Sequence, residues 1–341
     1  MDTEKRTALV LGATGGVGGA IATALIGKGW TVRGLARNLD AARRSGVAGI
    51  DWVAGDAMNR ADVIGAAQGV STIVHAVNPP GYRNWGELVL PMIDNTIAAA
   101  RDVGARVVLP GTVYNFDPAH TPVLSETSPQ TPKSFKGRIR AELEARLERA
   151  APEVESLILR AGDFFGPGAR SSWFAQGMVA AGKPVRRIIN VARSAGHSWA
   201  YLPDLAQAFA LLLERPEALR PFERLQFEGI YDESGTVMIE AIERQVGRKL
   251  PVYRFPWWAM HLLAPFGGFA REAADIAAVW RHPMRMDNTR LVELLGAEPR
   301  TPLDTAMHQS LVAMGCDHSI GASACPSRPE GSASVTKGPL S

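Results

Sequence analysis

Short apolar runs recur along the first half of the chain, and helix-like segments lie between several of them. Runs of this length suit strands that are buried on both faces of a parallel sheet. The alternation of such strands with helices is typical of an α/β architecture. The pattern predicts a Rossmann-type doubly wound parallel sheet, with strands near residues 7–11, 30–36, 50–55, 71–77, 105–116 (with its loop) and 156–162.

Five glycines follow the first apolar run directly, at positions 12, 15, 16, 18 and 19. A helix-like run comes after them. A strand, a glycine turn and a helix place backbone N–H groups against a pyrophosphate, and side chains there would hold the phosphates away. The spacing is G-x-x-G-x-x-G rather than G-x-G-x-x-G, and a tight turn without a ligand is the alternative. We predict cofactor contacts from Gly12, Thr14, Gly15, Gly16, Val17 and Gly18.

The segment Gly-Ala-Thr-Gly-Gly-Val-Gly at residues 12–18 resembles the short-chain dehydrogenase/reductase superfamily. Along residues 6–313 the chain is similar to its extended and atypical branches, which include nucleotide-sugar epimerases, dehydratases and NADPH-dependent reductases. The resemblance implies that Asp56 bonds the adenine amino group, with capping of the next helix as a compatible structural role. Ligands bind outside the carboxyl ends of such strands. Further cofactor contacts are therefore expected from Ala57, Ala76, Val77 and Asn78.

Arg37 stands where the second strand ends, near the expected position of the adenosine ribose. An acidic residue at this point selects NAD by bonding the ribose 2′-hydroxyl, whereas a cation accommodates the 2′-phosphate of NADP. Arg37 therefore favours NADP. Asp40 lies near enough to keep NAD possible, and a solvated arginine at a strand end is the structural alternative.

The general acid that the resemblance implies is absent. The family uses a tyrosine four residues before a lysine at the start of a helix, and its phenol exchanges a proton with the substrate oxygen. No tyrosine lies between Tyr114 and Tyr201. The family's usual hydroxyl on the fifth strand falls on Pro110, which leaves Thr112 as the nearest hydroxyl. We predict as catalytic residues Thr112, Tyr114 and Lys136, with Tyr82 as a further candidate for proton transfer.

A cationic cluster occupies the segment where the tyrosine and lysine would stand. Aligning Glu142 with the acidic residue that usually follows places Ser134 at the tyrosine and Arg138 at the lysine. A shift of two residues places Pro132 and Lys136 there instead. We expect Lys136 or Arg138 to bond the nicotinamide ribose, and a solvated helix surface is the alternative.

The second half of the chain is expected to leave the cofactor half at the turn 163–168. By resemblance, one unit of residues 1–315 carries a small C-terminal α/β substrate lobe, built mainly from about 163–200 and 220–314. His197 lies in this part and is interpreted as a structural residue. Residues 316–341 are rich in Ser, Gly, Ala and Pro, which predicts a disordered tail.

The most apolar stretch of the chain covers residues 255–269. It is shorter than a membrane span requires, and a proline and two glycines interrupt it. We interpret it as a wall of the substrate lobe or as a subunit contact, so a homodimer is possible. Peripheral attachment to a membrane is a further alternative.

Composition narrows the classes of partner and ligand. The net charge is +3 without a basic block, so a nucleic-acid partner has no electrostatic support. The two cysteines, Cys316 and Cys325, are expected to lie outside the fold, which indicates neither a disulfide framework nor a metal site. The N-terminal residues lack the apolar segment of a signal peptide, and a cytoplasmic location is expected.

These observations predict an NAD(P)-dependent oxidoreductase, an atypical short-chain reductase that acts on a small, fairly apolar carbonyl or alcohol. A nucleotide-sugar epimerase or dehydratase is one alternative, although the missing tyrosine argues against it. A non-catalytic NADP-binding sensor is the other, because it needs the glycine turn but no acid.

Overall fold

The computed structural model describes residues 6–79, 85–192 and 196–316. The strands in chain order are β1 (Thr7–Leu11), β2 (Thr31–Ala36), β3 (Ile50–Ala54), β4 (Thr72–His75), β5 (Arg106–Gly111), β6 (Val123–Leu124), β7 (Ser156–Ala161), β8 (Asp163–Phe165), β9 (Ile188–Asn190), β10 (His197–Tyr201), β11 (Phe222–Phe227), β12 (Ile230–Asp232), β13 (Val252–Arg254) and β14 (Arg285–Met286). The helices are α1 (Gly16–Gly27), α2 (Leu39–Arg43), α3 (Arg60–Ala67), α4 (Trp85–Val103), α5 (Phe135–Ala150), α6 (Leu202–Leu213), α7 (Val237–Val246), α8 (Trp257–Leu263), α9 (Gly268–Ile276), α10 (Thr289–Leu295) and α11 (Leu303–Ala313).

Seven strands form one sheet in the order β11-β7-β5-β4-β1-β2-β3, and all neighbouring pairs are parallel. Helices α1 and α6 pack together, and α4 packs between α3 and α5. The two groups cover opposite faces, because their apolar side chains join two separate cores on either side of the strands. This arrangement confirms the predicted Rossmann-type doubly wound fold.

The strands at the centre of the sheet are apolar because both of their faces are covered. Strand β1 contributes Val10 to one core and Leu9 to the other, and both side chains are fully buried. The register aligns Leu11 with Leu35 of β2 and with His75 of β4. The carboxyl ends of these three strands therefore lie side by side at one edge of the sheet. A ligand site in such a sheet is expected at this edge.

Strands and helices from the second half of the chain form a lobe with an aromatic core. Strands β8, β10 and β12 make a three-stranded sheet, and β9 pairs with β13. The buried core of this lobe contains the large rings Phe165, Phe174, Trp199, Trp257 and Trp280. The lobe range expected from the sequence, 220–314, contains β11, but this strand pairs in parallel with β7 and forms the edge of the main sheet.

Cys316 differs from its sequence-based expectation. The residue is 5 % exposed and belongs to the buried core of the lobe rather than lying outside the fold. Its Sγ lies 3.4 Å from the carbonyl oxygen of Ala180, and burial raises the pKa of the thiol. The rest of the predicted tail, residues 317–341 with Cys325, lies outside the described residues. Among the helices of the described part of the chain, none combines the length and apolar character needed to cross a membrane.

Candidate functional site

The glycine turn lies between the carboxyl end of β1 and the start of α1. Gly12 has a φ of +87°, which L side chains rarely adopt. A Cβ on Gly12 would lie 2.6 Å from the carbonyl oxygen of Ala76, and a Cβ on Gly18 would lie 2.3 Å from that of Gly12. The turn therefore has room for glycine alone at these two positions, and its backbone lies directly against the end of β4.

The N-terminus of α1 points its first N–H groups out of this turn. Gly15 is the N-cap residue and, as a glycine, has no side chain to cap the helix. The N–H of Gly15 donates to Gly12 at 2.9 Å, whereas the N–H groups of the first helical residues have no acceptor within the helix. Thr14 is exposed and Val17 is half-buried beside the same turn. An uncapped helix N-terminus above a glycine cradle fits a dinucleotide's pyrophosphate.

The loop after β8 approaches the same helix end. A Cβ on Gly16 would lie 2.3 Å from the carbonyl oxygen of Gly168. Gly16 is therefore required for the contact between this loop and α1. The contact joins the start of the lobe to the glycine turn.

Arg37 is exposed at the end of β2 and forms no hydrogen bond or ion pair within the described part of the chain. Asp40 pairs with Arg43 of α2 at 3.6 Å. Asn38 caps α2 by accepting from the N–H of Ala41 at 2.9 Å. The guanidinium group thus remains available at the position where a 2′-phosphate is expected.

Asp56 closes the turn after β3. Its Oδ1 accepts from the N–H of Met58 at 3.0 Å, while Asn59 is the residue that caps α3. The alternative role predicted for Asp56, capping this helix, therefore belongs to Asn59. Ala57 is buried, and its carbonyl oxygen accepts from Asn95 of α4 at 2.9 Å.

The end of β4 joins the turn through Ala76, whose N–H donates to Leu11 at 3.0 Å. Val77 is half-buried and Asn78 is exposed. The Oδ1 of Asn78 accepts from Arg140 of α5 at 2.9 Å. The structure therefore brings a cation from α5 to the end of β4, where the nicotinamide ribose is expected.

His75 precedes this segment and is a core residue, 2 % exposed. Its Nδ1 lies 2.8 Å from Thr96 Oγ1, and that hydroxyl donates its proton to the carbonyl oxygen of Met92. The hydroxyl must therefore accept a hydrogen bond from Nδ1–H, which places a proton on this nitrogen. Burial, with a smaller contribution from Arg140, lowers the pKa of His75 to about 3.

Thr112 and Tyr114 follow β5 and lie half-buried in one turn. The hydroxyl oxygen of Thr112 accepts from the N–H of Tyr114 at 3.4 Å. A Cβ on Gly137 would lie 2.1 Å from the carbonyl oxygen of Tyr114, so the turn lies directly against the first turn of α5. Tyr82, the other candidate for proton transfer, lies outside the described residues.

Lys136 and Arg138 occupy different surroundings from those expected. Lys136 is buried, and its Nζ lies 2.5 Å from Glu272 Oε2 on α9. Arg138 is exposed, donates to the carbonyl oxygen of Lys133 at 3.0 Å and lines a groove on the solvent side of α5. The cation that reaches the end of β4 is Arg140, rather than either of the two predicted residues.

The lobe contributes one further polar pair near the carboxyl edge of the sheet. His197 Nε2 lies 2.9 Å from Asp163 Oδ2, and its ring stacks on Trp280 with centroids 4.1 Å apart. Both side chains are largely buried. A histidine held by a carboxylate and an indole in this way agrees with the structural role that the sequence favoured. Within the described residues, no group of acidic, histidine and cysteine side chains could hold a metal ion.

Comparison with known families decides the classification. The sequence model of the NAD-dependent epimerase/dehydratase family matches residues 8–226, from the first strand to the last strand of the main sheet. The chain belongs to this family. The assignment confirms the resemblance to the extended short-chain dehydrogenase/reductase branch. No curated protein matches the sequence.

Solved structures of epimerases share the fold of this chain. A putative epimerase from Burkholderia cenocepacia is 18 % identical, with a TM-score of 0.68 over 92 % of this chain and 99 % of that one. UDP-glucuronic acid 4-epimerase from Bacillus cereus, in complex with NAD, is 15 % identical, with a TM-score of 0.70 over 90 % and 98 %. UDP-glucose-4-epimerase from Stenotrophomonas maltophila, with bound NAD and formylated UDP-arabinopyranose, is 16 % identical, with a TM-score of 0.69 over 91 % and 98 %.

The sequence contains a spacing that points to Arg140. Lys136 and Arg140 are four residues apart at the start of α5, which is the spacing of the family's tyrosine and lysine. The alignments that place Arg138 or Lys136 at the family's lysine both put that residue before Arg140. The family's spacing applied from Lys136 would have identified it.

Proposed function

We propose that the protein is an NAD(P)-dependent enzyme of the epimerase/dehydratase type and that it acts on a nucleotide-sugar. The observation that carries the proposal is the family match over residues 8–226, which includes the glycine turn, all seven strands of the main sheet and α5. Solved epimerases of the same fold, two of them with NAD, favour this reaction class over reduction of a small apolar carbonyl.

The residues at the sheet edge fit a dinucleotide. The N–H groups of residues 16–18 would hold the pyrophosphate, Arg37 would contact a 2′-phosphate, and Asp56 would face the adenine. When bound, the nicotinamide supplies a hydride acceptor for a carbon that carries a hydroxyl group. Asn78 and Arg140 lie at the end of β4 where its ribose is expected, and Arg140 takes the contact predicted for Lys136 or Arg138.

Oxidation at a hydroxyl-bearing carbon also needs an acceptor for the hydroxyl proton. We assign this role to Tyr114, which lies in the turn after β5 and against the start of α5 and would accept the proton as its phenolate. Thr112 uses an oxygen lone pair to accept from the N–H of Tyr114, so its own proton stays available for the substrate oxygen. Lys136 is held by Glu272, and we assign it to the contact between α5 and the lobe.

An assay of reaction type tests the proposal. Purified protein is incubated with NAD or NADP and a panel of UDP-sugars, and the products are identified by proton NMR. A sugar epimer or a dehydrated keto-sugar is expected. Consumption of NADPH with simple aldehydes or ketones but no change in any sugar would favour the reductase. Tight cofactor binding without turnover of either panel would favour a sensor.

Arg140→Ala is expected to weaken NADH and NADPH binding about tenfold, the loss typical of one hydrogen bond from a charged group. Arg138→Ala removes the same charge two residues earlier, on the solvent side of the same helix, and should leave affinity unchanged. Isothermal titration of both variants makes the comparison. Equal losses in the two variants would show that general charge, rather than the contact at β4, explains the effect.

Arg37→Asp is expected to weaken NADPH binding at least about tenfold more than NADH binding, because it removes a cation from the 2′-phosphate and adds a repelling carboxylate. Dissociation constants for both cofactors measure the ratio. Arg43→Asp changes the charge equally on neighbouring α2 and is the control. If Arg37→Asp weakens both cofactors equally, the preference for NADP is refuted.

A further inference from the structure

The surface of α8, α9 and the turn Ala264–Phe266 between them is apolar on its solvent side. The side chains in question, here called the apolar face, are Trp258 (70 % exposed), Leu262 (67 %), Leu263 (46 %), Phe266 (87 %) and Phe269 (60 %). Trp258, Leu262 and Phe266 repeat every four residues and so form one stripe. A surface helix ordinarily turns such a stripe toward the core.

The inner side of the same segment is already packed against the lobe. The side chains of the apolar face are therefore not part of the lobe's core. Trp257 is 2 % exposed and donates from Nε1 to the carbonyl oxygen of Val191 at 3.0 Å. Ala273 and Ile276 of α9 are also buried. The buried inner side therefore keeps the apolar face on the outside of the fold. Exposed apolar patches of this kind usually mark a binding surface.

The charges around the apolar face are of one sign. Residues 244–271 contain no aspartate or glutamate. Arg271 donates to the carbonyl oxygens of Ala264 and Pro265, which places its guanidinium beside Phe266. Arg254 stands just before α8 and His261 within it, and both are exposed. Within the described ranges, neither Arg254 nor Arg271 forms an ion pair with a carboxylate.

The acidic residues of α9 point away from the apolar face. Glu272 binds Lys136, and Asp275 accepts from the N–H groups of Phe135 and Lys136 at 2.9 and 3.2 Å. Both carboxylates are therefore used to hold α9 on the first turn of α5. The outer side is left with aromatic and aliphatic side chains flanked by arginine, which is the composition of an interfacial membrane anchor.

We propose that the apolar face docks on the surface of a lipid bilayer with anionic headgroups. Trp258, Leu262 and Phe266 enter the boundary between headgroups and acyl chains, and Arg254 and Arg271 contact the phosphates. A second copy of this chain fits less well, because a two-fold contact would bring the same unpaired arginines together. The docked surface lies on the helix pair that contacts α5, so the candidate site would lie close to the bilayer.

Vesicle binding tests the proposal with the full chain. Co-sedimentation should show binding to vesicles of phosphatidylcholine mixed with phosphatidylglycerol, weaker binding to pure phosphatidylcholine, and loss of binding as salt is raised. Phe266→Ser should weaken binding about tenfold or more. Val312→Ser, at a half-exposed position of α11, is the matched control and should bind as the parent does.

Two further measurements can overturn the proposal independently of enzyme activity. Brominated lipids should quench tryptophan fluorescence in the parent protein and less in Trp258→Ser. Equal affinity of Phe266→Ser and the parent for anionic vesicles would contradict docking through this face. A dimer of the parent in solution that Phe266→Ser dissociates would assign the face to a second copy instead.

Discussion

Replacing Gly18 with alanine is expected to weaken binding of NADH and NADPH by at least about a hundredfold, as loss of two hydrogen bonds to a charged group would do. The added Cβ would lie 2.3 Å from the carbonyl oxygen of Gly12 and 2.8 Å from its carbonyl carbon. Both are backbone atoms, so neither can rotate away. The glycine turn must shift, and the N–H groups at the start of α1 move with it.

Gly27→Ala provides the control for Gly18→Ala within the same helix. A Cβ on Gly27 would have no atom within 4 Å, so the substitution adds helix propensity without a contact. We expect a gain of up to about 1 kcal/mol in unfolding free energy and unchanged cofactor affinity. Calorimetric titration and thermal unfolding measure the two effects. Normal cofactor binding by a folded Gly18→Ala protein would remove the glycine turn from the proposed site.

The features of the fold that were predictable from sequence are those with a local cause. Apolar runs bounded by glycine mark six strands of the main sheet, because strands covered by helices on both faces are mostly apolar. The glycine turn was identifiable since glycine alone fits the close approach to Ala76 and to the Gly12 carbonyl. The seventh strand, β11, was placed in the lobe because its parallel pairing with β7 is set by tertiary packing.

The orientation of side chains on α5 could not be read in the same way. Lys136, Arg138 and Arg140 are all long cations within five residues, and sequence alone does not say which of them faces β4. That choice depends on α9, where Glu272 and Asp275 hold Lys136 and the start of the helix. The burial of Cys316 could not be predicted for a related reason. Its thiol contacts the carbonyl oxygen of Ala180, which is far away in sequence.

Glu144→Gln is expected to lower the unfolding free energy by about 3–5 kcal/mol, because it leaves the charge of Arg160 buried without its partner. Arg160 on β7 is fully buried, and its Nε donates to Glu144 Oε1 at 3.1 Å, with a second hydrogen bond from Nη2 to Oε2. Gln130 donates to the same carboxylate at 2.9 Å and accepts from Asn115 at 2.8 Å. The network thus fixes the segment after β5 that carries Thr112 and Tyr114.

The exposed pair of Arg101 and Glu153 is the control for this buried network. Its two atoms lie 2.9 Å apart, but both side chains remain largely in solvent, so Glu153→Gln should cost less than about 1 kcal/mol. Urea unfolding of both variants measures the difference. The double variant Glu144→Leu with Arg160→Met removes both charges and should recover most of the loss. Similar costs for Glu144→Gln and Glu153→Gln would mean that water reaches Arg160, and the network could not then hold the Tyr114 turn in place.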